Sequence, residues 1–144
     1  MIARFAVSPD GTVRGPARGE MLAQISTALV QLHSRYYGKG PTKAKTHMVD
    51  DTVVCILHGG FTTVERTLID EKDVEAVLQV RRSFQRAMER HFTAVVEEAL
   101  GRKVIAYMSQ IHEDPDLAVE LFVLEPGEGK VVGEHKIESA GETE

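Results

Sequence analysis

Apolar side chains recur at three- and four-residue steps through residues 71–100: Val74, Leu78, Phe84, Met88, Phe92, Val95 and Ala99, with Val77, His91 and Val96 widening the stripe. That spacing is the helical period. Arg81, Arg82, Arg86, Glu89, Arg90, Glu97 and Glu98 fill the other side. Asp70 or Asp73 can accept from the free N–H groups at the start. Gly101 can adopt the left-handed conformation that ends the helix, with Arg102 and Lys103 near its negative pole. About thirty residues at 1.5 Å each make roughly 45 Å of rod. A rod of that length needs a sheet or another helix along it.

A second helical stripe, Met21, Leu22, Ile25, Ala28, Leu29, Leu32 and Tyr36, predicts a helix opened by Gly15-Pro16 and closed by Gly38. Between the rods the period changes. Lys43 to Val49 alternates weakly, Asp50-Asp51 makes a turn, and Thr52 to Leu57 is a strand rich in β-branched residues, broken by His58-Gly59-Gly60. Thr62 with Glu65 is a capping box that starts a short helix over 63–69. After Gly101, strands are expected over 104–111 and 117–124, with a turn at His112-Glu113-Asp114-Pro115-Asp116. Met1 to Val7 reads as a short strand or an ordered arm before the turn Ser8-Pro9-Asp10-Gly11.

The order helix–hairpin–helix–hairpin occurs as two echoing halves. It predicts an α+β two-layer sandwich: a four-stranded antiparallel sheet built from two hairpins, with both long helices on one face. The expected organisation is an arm over 1–15, the α+β domain over 16–125 and a polar tail over 126–144, with a short extended piece at Lys130 to Val132. Val54, Ile56, Ile105, Tyr107, Phe122 and Leu124 are the candidates for the sheet's other face. A half-apolar open face is costly in water, so a homodimer or another partner is expected there.

Composition narrows the function classes. The 144 residues are enough for one domain, and 42% hydrophobic content supports a core that is mainly aliphatic, there being no tryptophan. A net charge of −5 disfavours a dedicated nucleic-acid binder. The single cysteine, Cys55, sits in the run Val53-Val54-Cys55-Ile56-Leu57 and reads as a small buried hydrophobe. With no apolar run long enough to span a bilayer and no leader-like N-terminus, a cytoplasmic protein is expected, with a peripheral place on the membrane's inner face left open.

Candidate chemistry is sparse. Met21 to Val49 contains no acidic residue but holds Arg35, Lys39, Lys43 and Lys45, with His33 and His47, so Arg35, Lys39, Gly40, Lys43 and Lys45 form a candidate anion site. The competing account is a capped helix end and an edge strand decorated with lysines. Asp50, Asp51, Glu113, Asp114 and Asp116, with His47 and His112, would gather at one end of the sheet if both turns fell there, and could then hold a hard cation. Turn chemistry explains them without one. An enzyme would need Asp50 or Asp114 beside His47 or His112. No nucleophile or zinc motif appears, so no catalytic residue, metal or cofactor is assigned.

Several segments resemble the MpsC-like family of bacterial domains. They are Gly38-Lys39-Gly40-Pro41-Thr42-Lys43-Ala44, Val49-Asp50-Asp51, Val53-Val54 and Leu57-His58-Gly59-Gly60-Phe61-Thr62. Glu65-Arg66-Thr67-Leu68, Val80-Arg81-Arg82-Ser83-Phe84-Gln85, Gly101-Arg102, Asp114-Pro115-Asp116 and Phe122-Val123-Leu124 complete the set. The likeness covers about residues 18–125. It implies an accessory component beside membrane proteins of cation and bicarbonate handling, and carries over no catalytic residues. Three readings follow: a non-catalytic interaction module with a homodimeric state and a membrane-protein partner, a binder of anionic small ligands or nucleic acid through the basic 33–47 segment, or an uncharacterised enzyme.

Overall fold

A computed structural model of the chain describes residues 6–7, 9–11, 13–14 and 17–127. Strands β1 (Ala6–Val7) and β2 (Val13–Arg14) form a small antiparallel hairpin. Then follow α1 (Arg18–Tyr37), β3 (Lys43–Val49), β4 (Thr52–His58), α2 (Thr63–Asp70), α3 (Val74–Leu100), β5 (Val104–His112) and β6 (Leu117–Leu124). The expected tail beyond Gly127, with its extended piece at Lys130 to Val132, lies outside the described residues.

The four long strands form one antiparallel sheet in the order β3-β4-β6-β5. The inner strand of each hairpin pairs with the inner strand of the other, Thr52 opposite Val123 and His58 opposite Leu117. Helix α1 lies along β3, α3 lies along β5, and the two helices pack on each other. This is the expected α+β two-layer arrangement. The local punctuation is also as expected. Gly38 (φ 87°) and Gly101 (φ 63°) take left-handed conformations at the helix ends. Thr62 and Glu65 form a reciprocal capping box, and the Asp73 carboxylate accepts from the Ala76 N–H.

The core lies between helices and sheet. Ile25 and Leu29 from α1 meet Met88, Phe92 and Val96 from α3 over Val53, Cys55 and Leu57 of β4 and Phe122 and Leu124 of β6. This placement corrects part of the expected open face. Phe122 and Leu124 are 0% and 1% exposed beneath the helices, and Tyr107 packs against them from the same side. Both alternating sets of β6 are apolar, so its period alone could not say which set points inward. The pairing of Phe122 with Val53 and Tyr107 decides it. Ile105 is 55% exposed at an irregularity in β5 between Val104 and Ala106.

Three side chains on the helices, Arg81, His91 and Tyr36, also depart from expectation. Arg81, assigned to the polar side of α3, is buried among Val77, Met88, Phe92 and Val96, whereas His91 is exposed and packs beside the Tyr36 ring. Tyr36 itself is 46% exposed, and its neighbour Tyr37 turns inward to hydrogen-bond Glu65. The acidic turns do not come together. Antiparallel pairing of β4 with β6 places the Asp50-Asp51 turn beside Leu124, while Asp116 reaches the Phe61 N–H at the opposite end. The cation site and the catalytic pairing that joined Asp50 to the second turn are therefore not assembled.

Candidate functional site

Among the described residues, polar side chains gather inside the core and around the edge of the sheet face turned away from the helices. The internal group is built on Glu65. Its carboxylate accepts from Arg81 Nε at 2.6 Å and Nη2 at 2.7 Å, from the Thr62 N–H at 2.9 Å and from the Tyr37 hydroxyl. Arg81 also donates to the Gly60 carbonyl at 2.8 Å and lies 4.0 Å over the Tyr37 ring. Burial pushes the Glu65 carboxyl up, but the Arg81, Thr62 and Tyr37 hydrogen bonds outweigh it and hold the group below its usual value. Burial and the bond to Glu65 push the Tyr37 hydroxyl up.

Beside this ion pair is a second group, formed by His33, Glu120 and Tyr107. The Tyr107 hydroxyl donates to Glu120 Oε2. His33 Nδ1 bonds the Leu29 carbonyl at 2.7 Å. A carbonyl only accepts, so the proton is on Nδ1, and Nε2 faces Glu120 Oε1 at 3.8 Å. Glu120 is 1% exposed. Burial pushes its carboxyl up to about 7, against the Tyr107 and Ser109 hydroxyls and the Arg81 charge, which pull it down. Burial likewise lowers His33, and Tyr107 is raised by burial and by the charge of Glu120. The space between the groups, lined by His33, Phe61, Arg81 and Asp116, is about 10 Å³. That is about the minimum for one water molecule, and no substrate fits. This polar core therefore clamps helices to sheet. Cys55 is wholly buried, and burial raises its thiol.

The outer sheet face has a different chemistry. Alternation along β4 puts Val53, Cys55 and Leu57 inward, so Thr52, Val54, Ile56 and His58 point outward. Their register partners complete a lattice. Val54 lies between His47 and Leu121, with Met108 beyond. Ile56 lies between Lys45 and Val119, with Gln110 beyond. Thr52 joins Val49 to Val123, and His58 joins Lys43 to Leu117 and, further along, His112. The centre is aliphatic, the rim along β3 and one end is lysine and histidine, and no position is acidic. Val49 is 66% and Met108 54% exposed.

The expected basic site is divided between several surroundings. Lys43 and Lys45 stand exposed on the outer face. Lys39 donates to the Phe61 carbonyl at 2.9 Å, and Arg35 lies over the Tyr36 ring at the end of α1. Gly40 serves close packing, since a Cβ there would lie 3.1 Å from the Val30 carbonyl oxygen. The Glu65–Arg81 clamp and the buried Glu120 were missed in the sequence. Their one signal was that each stands at an apolar periodic position: Arg81 four residues after Val77, and Glu120 between Ala118 and Phe122.

The family model described as Na+-translocating membrane potential-generating system (MpsC) matches residues 17–126. The uncharacterized protein YrhF of Bacillus subtilis (strain 168) is 24% identical over 104 residues, which cover 71% of this chain and 85% of YrhF. No solved structure matches. No helix among the described residues is long and apolar enough to cross a membrane.

Proposed function

We propose, from the premise that this chain belongs to the MpsC family, that it is a non-catalytic interaction module of a membrane cation-transport system. In this reading it works as a homodimer, and its open sheet face docks on a membrane-associated protein of that system. The observation that carries the reading is the outer lattice: an aliphatic centre of Val54, Ile56, Val119, Leu121 and Val123, a rim of Lys43, Lys45, His47, His58 and His112, and no acid, on a chain whose net charge is −5. Acidic side chains are kept off this face although they outnumber basic ones overall. An aliphatic surface with a basic rim suits a partner that is apolar at its centre and acidic at its edge. The family description supplies the company in which to look for that partner, and the protein's location is then peripheral, on the inner side of the membrane.

The test uses the full chain and membranes from its native cell. Wild-type protein is expected to sediment with the membranes and to be released by salt, because a rim of exposed charges is screened. Leu121→Asp, which places a charge at the centre of the lattice, is expected to reduce the bound fraction by about tenfold or more. Its melting temperature should stay close to that of wild type, because Leu121 lies outside the helix-facing core. Retention of full membrane binding by L121D would overturn the docking face.

A further inference from the structure

We infer that two copies of this chain join edge to edge through β5, extending the four-stranded sheet into one of eight strands and leaving the outer face free. The inference rests on the homodimeric part of the reading above and adds where the copies meet.

The two edges of the sheet are unlike. Strand β3 is defended: Lys43, Lys45 and His47 stand exposed along it, and charges of this kind deter a further strand. Strand β5 is nine residues long, and from Val104 to Ile111 it contains no charge and no proline. It carries two of the large exposed hydrophobics, Ile105 at 55% and Met108 at 54%. The irregularity between Val104 and Ala106 guards only its first residues, and the ladder is regular from Ala106 to His112. An undefended apolar edge of this length is a template for another strand.

The helix above the edge indicates which strand comes. A cleft of about 210 Å³ between α3 and β5 is lined by Arg82, Gln85, Arg86 and Glu89 over Tyr107 and Ser109. Arg86 and Glu89 thus stand level with the middle of β5, and both are exposed. Met108 is the central residue of the strand. An antiparallel pairing of β5 with its own copy, with the two-fold axis near Met108, sets Arg86 of each copy opposite Glu89 of the other. In a two-fold interface every contact occurs twice, so one charged pair on the helix becomes two attractive pairs across the joint. The same face is therefore self-complementary in backbone, in apolar side chains and in charge.

Sedimentation equilibrium of the full chain tests this. The expected mass is twice the 15.9 kDa of the chain. Arg86→Glu and Glu89→Arg, taken singly, are each expected to raise the dimer Kd by about tenfold or more. The double variant R86E/E89R restores opposite charges at both contacts and should return the Kd to near the wild-type value. Met108→Lys, a charge on the outward edge, should also weaken the dimer, whereas Leu121→Asp should leave it intact. Circular dichroism melting shows that each variant is folded. A monomer at every concentration, or a dimer broken by L121D and indifferent to M108K and the charge reversals, would overturn the edge joint. A monomer that still binds membranes would refute the joint and leave the docking face standing.

Discussion

Glu120 shows how far a single side chain can depart from its sequence environment. It lies on an inward position of β6, held by the Tyr107 hydroxyl and facing His33 Nε2, and its carboxyl is raised to about 7 from an ordinary 4.5. Between those two values the unfolded chain releases the proton and the folded chain keeps it. Stability therefore falls as pH rises from 4.5 through 7, and stays lower above that window. His33, lowered by burial, runs the other way: its contribution is complete above its ordinary 6.5 and declines as the pH falls. E120Q removes the first slope and leaves the second. Relative to wild type, it is expected to gain on the order of 3 kcal/mol between about pH 4 and pH 8, measured by urea unfolding at each pH. In the sequence only its place at an apolar periodic position, between Ala118 and Phe122, marks this carboxyl. A glutamate among Ala118, Phe122 and Leu124 usually marks a solvent face, and only the cross-strand neighbours invert that.

The elements themselves were largely legible, because their signals are local. The two helical stripes, the capping box at Thr62, the left-handed Gly38 and Gly101 and the β-branched run of β4 each act within a few residues, and each is where its chemistry places it. What an element meets is less legible. His58-Gly59-Gly60 reads as a strand breaker, which it is, but Gly59 has a second duty. It has φ 69°, and a Cβ there would sit 2.6 Å from Thr42 Oγ1, inside the crossing from β4 to α2. G59A is therefore expected to destabilise by at least about 1–2 kcal/mol, the cost of a left-handed alanine, with the crowding of Thr42 added to it. A drop in the urea midpoint at unchanged slope would show it. On α3 the periodicity located the rod but set its inward face slightly wrong. Val77, Arg81, Met88, Phe92 and Val96 are the buried positions, and a charged residue among them read as the far side.

At the scale of the molecule, Arg81 ties the three helices together. Its guanidinium joins α3 to Glu65 at the start of α2, to the Gly60 carbonyl and, through Glu65, to Tyr37 on α1. Removing one member of a buried pair leaves the other charged and unpaired, so R81M is expected to cost about 3–5 kcal/mol. The double replacement R81M/E65L should cost clearly less, and comparing their thermal unfolding isolates the pair. The sheet is also decided at this scale. Local patterning is sufficient to count strands and to predict that two hairpins merge under two helices, because period, turn residues and caps are properties of neighbouring residues. It is not sufficient to choose which face of β6 turns inward, to place the two acidic turns at opposite ends, or to bring Glu65 to Arg81 and Glu120 to Tyr107. The chain by itself determined the elements and their order, the aliphatic character of the core and the family segments. The tertiary structure alone decided register and facing, since these depend on which distant side chains come into contact, and with them which residues became core, clamp and open surface.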